Sequence, residues 1–307
     1  MGERDRERER DAIVERHGPW IGHNLSLGDG IFTMGKPVLG ATELNVRRVS
    51  QAALDVAGRP AEELSVLDLA CGEGGFGIEL AAQGAAVTAF DARETEVAKT
   101  VFASDALASG RVQAFREDVR NLNADRYGRF DVVLCVGILY HLDAPDCFQL
   151  ARAVAEVATR LAIFSTALSV RPERREEWNG QAYWGRSYRE GTNAWAASGN
   201  PRSFWLTRSS LLNLLQDVGF SSTMEVLNPP VLDLARHRDH VTLLAIKGER
   251  LRPHAVPQVE RAPDVEGRWP ERMDYSVHPS QARFARVPGF RRLRSTLGRT
   301  FGKRPAP

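Results

Sequence analysis

Short apolar runs alternate with helical stretches through the middle of the chain. The apolar runs predict five strands, at 64–70, 86–91, 111–116, 130–136 and 160–166, and the stretches between them predict helices at 75–83, 93–107 and 144–158. Strands that alternate with helices at this spacing form βαβ units, in which helices cover both faces of a parallel sheet. The pattern therefore predicts a doubly wound α/β fold.

The C-terminal end of this pattern has a different character. Residues 208–217 predict a helix that Thr207 or Ser209 caps and Gly219 ends. Two last strands follow, at 222–227 and 240–247, and they are close enough in sequence to pair antiparallel. We therefore expect an antiparallel strand at one side of the sheet.

The N-terminal part combines a charged helix with a glycine-rich loop. Charges of alternating sign predict a helix at 3–17, and residues 18–40 predict a loop with a short hairpin. A helix at 42–57 then leads into the first strand. We therefore assign residues 1–41 to an N-terminal charged helix and lid segment, and residues 42–248 to the main domain.

Two segments interrupt the alternation of strands and helices. Residues 171–206 hold many aromatic side chains among glycine, asparagine and arginine, and they follow no clean period. Such a composition favours the wall of a substrate pocket over a core element. Residues 249–307 are rich in proline and arginine, and from position 283 onward they carry eight basic residues and no acid. We expect a flexible tail there, with contact to RNA or an anionic membrane surface as the alternative.

Composition narrows the function classes. The 307 residues carry a net charge of +2, which gives no general preference for nucleic acid. The charged N-terminus is unlike a secretion signal, and the chain lacks the stretch of about 18 apolar residues that a membrane helix needs. Cys71, Cys135 and Cys147 have neither metal spacing nor a disulfide framework. We therefore expect a cytoplasmic protein with no metal site and no membrane span.

A glycine-rich turn follows the first predicted strand, in the sequence VLDLACGEGGFG at 66–77. Glycines at such a turn allow the backbone to approach a ligand closely. The spacing Gly72-x-Gly74-x-x-Gly77 also satisfies the dinucleotide fingerprint, which leaves an NAD-dependent reductase as one alternative. A carboxylate at Asp68 would repel a pyrophosphate, whereas it would attract a ligand that carries an ammonium and a sulfonium.

Carboxylates end three successive predicted strands. Asp68 ends the first, Asp91 the second and Asp118 the third. Asp91 is placed to accept hydrogen bonds from ribose hydroxyls, which fits NAD and a sulfonium nucleoside equally. Asp118 is placed to accept from an adenine amine. The set predicts a nucleoside site at the carboxyl edge of the sheet.

Residues 60 to 170 resemble the class I S-adenosylmethionine (SAM)-dependent methyltransferases. The signature segments that match in order and spacing are DLACGEGGFG, Asp91, Asp118 and FDVVLCVGILYHL. The resemblance implies a Rossmann-like sheet of seven strands, mostly parallel, with the last strand antiparallel and helices on both faces. It also implies SAM as the cofactor. By position, the implied cofactor residues are Asp68, Ala70, Gly72, Gly74, Asp91, Asp118, Val136 and Tyr140. Ala70 stands where the family often has its first glycine.

Two further segments point to a narrower resemblance. This resemblance is to the tRNA wobble-uridine carboxymethyltransferases and related small-molecule methyltransferases. It rests on GILYHL at 137–142 and WIGHNLSLGDG at 20–30. The tRNA enzymes carry a basic residue before the first strand, and Arg47 and Arg48 lie there. The tryptophan-rich pattern around that residue is missing, so plain methyl transfer is our interpretation.

A hydroxyl or amine acceptor must lose a proton, and a neutral histidine is the usual base. His141 is the first candidate, because it follows the fourth strand at the carboxyl edge. His23 is the second, if the N-terminal segment covers the site. The alternative for His141 is a structural role, in hydrogen bonding to a loop carbonyl. The candidate substrate residues are Trp20, Asn24, Trp184, Arg186 and Trp195.

These observations favour a SAM-dependent methyltransferase that acts on an oxygen or nitrogen of a small molecule, such as a natural product or a glycan. A tRNA-modifying methyltransferase or carboxymethyltransferase is the second hypothesis, and nucleic acid is the less favoured partner. A catalytically inactive partner subunit with the same fold is the third. The sequence leaves the oligomeric state open.

The C-terminal part of the chain is directly testable. Truncation after Gly248 should leave the melting temperature and the affinity for SAM nearly unchanged, because that segment has no strand or helix period that could join the core. Thermal unfolding and calorimetry with SAM measure both quantities. A drop of several degrees in melting temperature would show that the segment packs against the domain.

Overall fold

The computed structural model describes residues 3–37, 40–107, 110–191, 199–226 and 239–249. The chain begins with helix α1 (Glu3–His17), a hairpin of strands β1 (Ser26–Gly28) and β2 (Ile31–Phe32), and helix α2 (Ala41–Ala57). Trp195 and the predicted tail beyond residue 249 lie outside the described residues.

The five predicted strands are present, and helices separate them. The strands are β3 (Ser65–Leu69), β4 (Ala86–Asp91), β5 (Val112–Arg116), β6 (Phe130–Val136) and β7 (Ala158–Ala167). The helices are α3 (Gly75–Ala82), α4 (Glu94–Leu107), α5 (Ala124–Tyr127) and α6 (Asp146–Val157). The four-residue helix α5 is too short to show a period, and the sequence did not predict it.

Residues 171–206 form a three-stranded antiparallel sheet where described. Its strands are β8 (Arg174–Trp178), β9 (Gln181–Arg189) and β10 (Arg202–Leu206), and β9 lies in the middle. Both faces of this sheet carry aromatic side chains, so the usual alternation of apolar and polar positions is absent. This is why residues 171–206 showed no clean period and the sequence did not predict these strands.

The chain then completes the central sheet with helix α7 (Arg208–Asp217) and strands β11 (Ser222–Glu225) and β12 (His240–Ile246). Thr207 caps α7, because its side chain accepts a hydrogen bond from the Ser210 N–H at 3.2 Å. The strand order is β11-β12-β7-β6-β3-β4-β5. Strand β12 pairs antiparallel with both β7 and β11, while the inner pairs are parallel. The predicted seven-stranded, mostly parallel sheet is confirmed.

Two apolar cores cover the two faces of the sheet. On one face, Leu67 and Leu69 of β3 belong to a core that includes Phe148 of α6 and Leu214 of α7. On the other face, Val66 belongs to a core with residues of α2 and α3. The alternation along β3 places Asp68 on the same face as Val66.

The three-stranded sheet packs on the first of these cores. The ring of Phe148 lies 5.1 Å from that of Tyr183, 5.8 Å from Trp178 and 5.9 Å from Phe204, measured between centroids. The Tyr183 hydroxyl donates to Asp217 Oδ2 at 2.7 Å. The insert is therefore anchored to α6 and α7 through one face.

A buried ion pair attaches the N-terminal segment to the domain. Glu73 in the glycine-rich turn is 1% exposed and accepts hydrogen bonds from the backbone N–H groups of Ile21, Gly22 and His23 at 2.8–2.9 Å. Lys99 of α4 donates to Glu73 at 3.2 Å and to the Pro19 carbonyl at 2.8 Å. The buried Glu73 carboxylate is thus balanced by the Lys99 charge, and its oxygens are paired with backbone N–H groups.

We expect Lys99→Met to lower the free energy of unfolding by about 3 kcal/mol, because Glu73 would stay buried without its counter-charge. Urea denaturation measures the change. Arg152→Met is the matched control, since Arg152 and Glu156 form an exposed ion pair and such pairs contribute less than about 1 kcal/mol. Equal, small losses in the two variants would contradict the role given to Lys99.

Candidate active site

The glycine-rich turn after β3 takes left-handed backbone angles at three positions. Ala70 has φ +50°, Gly72 has φ +55° and Gly74 has φ +81°. A Cβ at Gly74 would lie 2.7 Å from Thr100 Cγ2, so glycine is required there by space as well as by conformation. The left-handed angle at Ala70 explains physically why glycine is often found at this position.

Two of the three predicted carboxylates lie buried at neighbouring strand ends. Asp68 is 1% exposed and accepts from the Gly77 N–H at 2.9 Å. Asp91 is 3% exposed and accepts from the Gly72 N–H at 3.1 Å and from the Arg93 N–H at 2.9 Å. Burial, together with the charge of Asp91, raises the pKa of Asp68 to about 7. Asp91 also accepts from Arg93 Nε at 3.3 Å. A cationic ligand beside Asp68 would favour the ionised form of this buried carboxyl.

Asp118 lies at the same edge but is bound by its own neighbour. Its two oxygens accept from the Arg120 guanidinium at 2.5–3.1 Å, and Oδ1 also accepts from the Arg120 N–H. These hydrogen bonds lower the pKa of Asp118. An adenine amine at this carboxylate would share it with Arg120.

His23 lies against the glycine-rich turn, on the side of the N-terminal segment. Its Nδ1 accepts from the Gly75 N–H at 3.2 Å, at the first residue of α3. Burial lowers the pKa of His23, although Glu73 and Glu43 act in the opposite direction. Because Nδ1 is the acceptor, the proton of the neutral ring is on Nε2. This geometry favours a structural role, in which His23 caps α3, over the role of a base.

Two predicted substrate residues take part in packing the N-terminal segment. The Trp20 ring packs on Phe102 of α4, with a centroid distance of 5.8 Å. Asn24 donates to the Lys36 carbonyl at 2.9 Å and accepts from the Met34 N–H at 3.1 Å. Both side chains are buried in this arrangement, which fixes the segment that covers the turn.

Three backbone carbonyls of the turn after β6 accept hydrogen bonds from the insert. Trp205 Nε1 donates to the Tyr140 carbonyl at 3.0 Å, and Asn200 Nδ2 donates to the His141 carbonyl at 3.0 Å. The Phe204 N–H donates to the Leu142 carbonyl at 2.9 Å. Strand β10 therefore lies directly over the segment that carries His141.

His141 forms a pair with a carboxylate of the insert. Its Nδ1 lies 3.2 Å from Glu190 Oε2, and the Glu190 side chain is 3% exposed. Burial lowers the pKa of His141, and Arg93 lowers it further, whereas Glu190 raises it. The net effect lowers the pKa of His141, so the imidazole is neutral near pH 7. A neutral ring whose Nδ1–H is donated to a carboxylate has a free lone pair on Nε2.

Aromatic and cationic groups share the face of the insert that Trp205 occupies. Tyr188 stacks on Trp205 with centroids 4.3 Å apart, and the Arg186 guanidinium lies 4.4 Å from the Trp205 centroid. Arg186 also lies 4.0 Å from Asp239. The backbone N–H of Trp184, another predicted substrate residue, donates to Ser210 Oγ at 2.7 Å. The predicted residues Arg186 and Trp184 thus lie on the same strand as Tyr188.

Sequence reasoning missed several residues that build this region, namely Glu73, Lys99, Tyr188, Glu190 and Trp205. Lys99 is one of four lysines in the chain, and no sequence pattern distinguishes it from the other three. Glu190 lies 49 residues from His141, and no spacing rule connects them. Among the described residues no group of three histidine, cysteine or acidic side chains has the arrangement of a metal site. The helices of the described residues are also too short or too polar to cross a membrane.

Comparison with known proteins agrees with this geometry. Residues 66–160 match the family model described as a methyltransferase domain. The chain is 42% identical over 81 residues to a ubiquinone biosynthesis O-methyltransferase of Azotobacter vinelandii, and 31% identical over 134 residues to the enzyme of that name from Bordetella parapertussis. These matches cover 26% and 43% of this chain and 34% and 52% of the relatives, so the chain spans about half the length of the relatives or less.

Solved structures extend the likeness to the whole fold. The N-terminal domain of EvdMO1, solved in the presence of SAH and D-fucose, superposes with a TM-score of 0.63 at 22% identity. The match covers 81% of this chain and 98% of that domain. It supports the fold of the chain. Residues 66–160 are therefore similar to a methyltransferase domain, and the chain has the class I methyltransferase fold.

Proposed function

We propose that this protein is a SAM-dependent methyltransferase that methylates an oxygen atom of a small molecule. The observation that carries the proposal is the pair of buried carboxylates, Asp68 and Asp91, at the ends of two neighbouring parallel strands. The match to a methyltransferase domain supports the reaction class. The two relatives named as ubiquinone biosynthesis O-methyltransferases support oxygen as the acceptor atom.

The residues present fit SAM chemically. Asp68 accepts a hydrogen bond from the Gly77 N–H, and burial raises its pKa to about 7, so the ionised carboxylate is costly without a nearby positive charge. A ligand with an ammonium and a sulfonium would remove that cost. A pyrophosphate, as in NAD, would increase it. The fit therefore favours SAM over a dinucleotide.

In this proposal the chain's own residues divide the binding of SAM among them. Asp68, Gly72 and Gly74 hold the methionine part, Asp91 holds the ribose, and Asp118 holds the adenine. Val136, Ala70 and Tyr140 line the same site. When bound, SAM supplies a methyl group on a positively charged sulfur, and placement of the acceptor contributes much of the rate acceleration.

His141 is the proposed base on the acceptor side. An acceptor hydroxyl would donate its proton to Nε2, which Glu190 leaves free by accepting from Nδ1. The lowered pKa of His141 keeps this nitrogen available at neutral pH. The face of the insert with Arg186, Tyr188 and Trp205 offers aromatic rings and one cation to the acceptor.

The remaining assignments are part of the same proposal. Residues 42–248 would be the catalytic domain, and a cytoplasmic location is supported by three buried thiols at Cys71, Cys135 and Cys147. Transfer to tRNA rests on the resemblance of residues 20–30 and 137–142. It would require tRNA affinity that falls steeply with salt.

The pKa of Asp68 makes a prediction about cofactor affinity. SAM should bind the ionised carboxylate, so affinity should rise about tenfold between pH 6 and pH 8, which corresponds to about 1.4 kcal/mol. Calorimetry at each pH measures this slope. Asp68→Asn should bind more weakly and show a flat profile, whereas the exposed control Asp55→Asn should keep the slope. An unchanged slope in Asp68→Asn would assign the titration to another group.

His141→Ala should lower kcat by about 10²–10⁴ with little change in the affinity for SAM. In the wild type, kcat should rise with pH through a histidine pKa below 6.5, and the variant should lose this step. A mass-shift screen first identifies a hydroxyl compound that the wild type methylates. Release of S-adenosylhomocysteine (SAH) with that acceptor then measures the rate. His23→Ala is the control, because loss of the α3 cap should weaken SAM binding and keep the pH step. Near-normal kcat in His141→Ala would make His141 structural.

A further inference from the structure

We infer that Glu190 is a positioning residue that holds His141 in the tautomer with a free Nε2, and that the insert thereby takes part in proton transfer. The inference rests on the proposed function of His141. It goes further by assigning a role to a residue outside the methyltransferase match, which ends at residue 160.

Contacts of both carboxylate oxygens and of the backbone hold Glu190 in position. Its Oε2 faces His141 Nδ1 at 3.2 Å, its Oε1 accepts from the Ser203 hydroxyl at 2.7 Å, and its N–H donates to the Pro201 carbonyl at 3.1 Å. Ser203 is fully buried. Because one oxygen is occupied by Ser203, the other has a fixed direction towards the imidazole.

A carboxylate at this place selects one of the two neutral tautomers. Glu190 accepts hydrogen bonds and has none to donate when it is ionised, so the proton of the imidazole is held on Nδ1. The lone pair is then on Nε2, at the other side of the ring. An acceptor hydroxyl needs that lone pair, and the opposite tautomer would present a proton to it.

Hydrogen bonds to the backbone of residues 140 and 141 also hold the segment that carries the imidazole ring. Asn200 donates to the His141 carbonyl at 3.0 Å, and Trp205 donates to the neighbouring Tyr140 carbonyl at 3.0 Å. The 139–142 turn therefore keeps its place even when the Glu190 carboxylate is replaced. This separates the effect of the carboxylate on the tautomer from its effect on the fold.

The charged and titratable groups around His141 come from three elements. Glu190 follows β9, Arg93 follows β4, and Tyr140 lies beside His141 with ring centroids 4.2 Å apart. Arg93 opposes protonation and Glu190 favours it. Of these groups, Glu190 alone is within hydrogen-bond distance of Nδ1 among the described residues.

Nitrogen-15 NMR of the imidazole rings in the full chain tests the tautomer without any acceptor. The chain has seven histidines, and the His141→Ala spectrum identifies the signals of His141. We expect an unprotonated Nε2 and a protonated Nδ1 in the wild type. Glu190→Gln should shift the ring towards the other tautomer, because its amide can donate to Nδ1. Glu177→Gln, an exposed glutamate of the same sheet, is the matched control and should match the wild type.

Turnover then connects the tautomer to the reaction. Glu190→Gln should lower kcat at least about tenfold and leave the affinity for SAM unchanged. Glu190→Asp, which keeps a carboxylate, should restore part of the lost kcat. Ser203→Ala, which keeps the carboxylate, should give a smaller loss and serves as the second variant if Glu190→Gln folds poorly. An unchanged tautomer and kcat in Glu190→Gln would overturn the inference. If His141→Ala itself keeps its kcat, the proposed base fails instead, and the two failures are distinguishable.

Discussion

Parallel pairing of β3 with β4 and with β6 determines where the candidate site residues that follow these strands lie. Asp68 pairs in register with Ala89 on one side and with Leu134 on the other, so the three strands end at one edge. The glycine-rich turn, Asp91 and the 137–142 turn meet there because each follows a strand of this set. Ligands of open parallel sheets bind at such an edge, where the chain changes direction across the sheet.

Two segments outside the parallel sheet complete this edge, and each is held by a buried glutamate. Glu73 accepts three backbone N–H groups of residues 21–23, and Lys99 balances its charge. Glu190 accepts from Ser203 and faces His141. Burying a carboxylate costs free energy unless its oxygens have hydrogen-bond or ionic partners. The positions of the partners of Glu73 and Glu190 are therefore closely constrained. They hold the N-terminal segment against the glycine-rich turn and the insert against the 137–142 turn.

The two histidines that the sequence singled out have different surroundings. His23 accepts a hydrogen bond at Nδ1 from a helix N-terminus, which leaves its proton on Nε2. His141 faces a carboxylate at Nδ1, which leaves Nε2 free. The same side chain is therefore suited to capping in one place and to proton transfer in the other. The difference comes from the partner at Nδ1 and not from the histidine itself.

The sequence by itself determined the elements whose signal is local. Apolar runs between helical periods predicted β3 to β7, the turn residues Gly72 and Gly74, and the strand-end carboxylates, because strand periodicity and strand ends are visible within ten residues. The antiparallel pairing of β12 with β11 followed from the short connection, and the family pattern predicted an antiparallel last strand, whereas the pairing of β12 with β7 came from the structure. Tertiary structure alone decided the rest. The insert is a three-stranded sheet, and aromatic side chains on both of its faces obscure the alternation that marks a strand. Glu190 meets His141 across 49 residues and Glu73 meets Gly22 across 51. Such contacts depend on how elements pack, and packing leaves no periodic trace in the sequence.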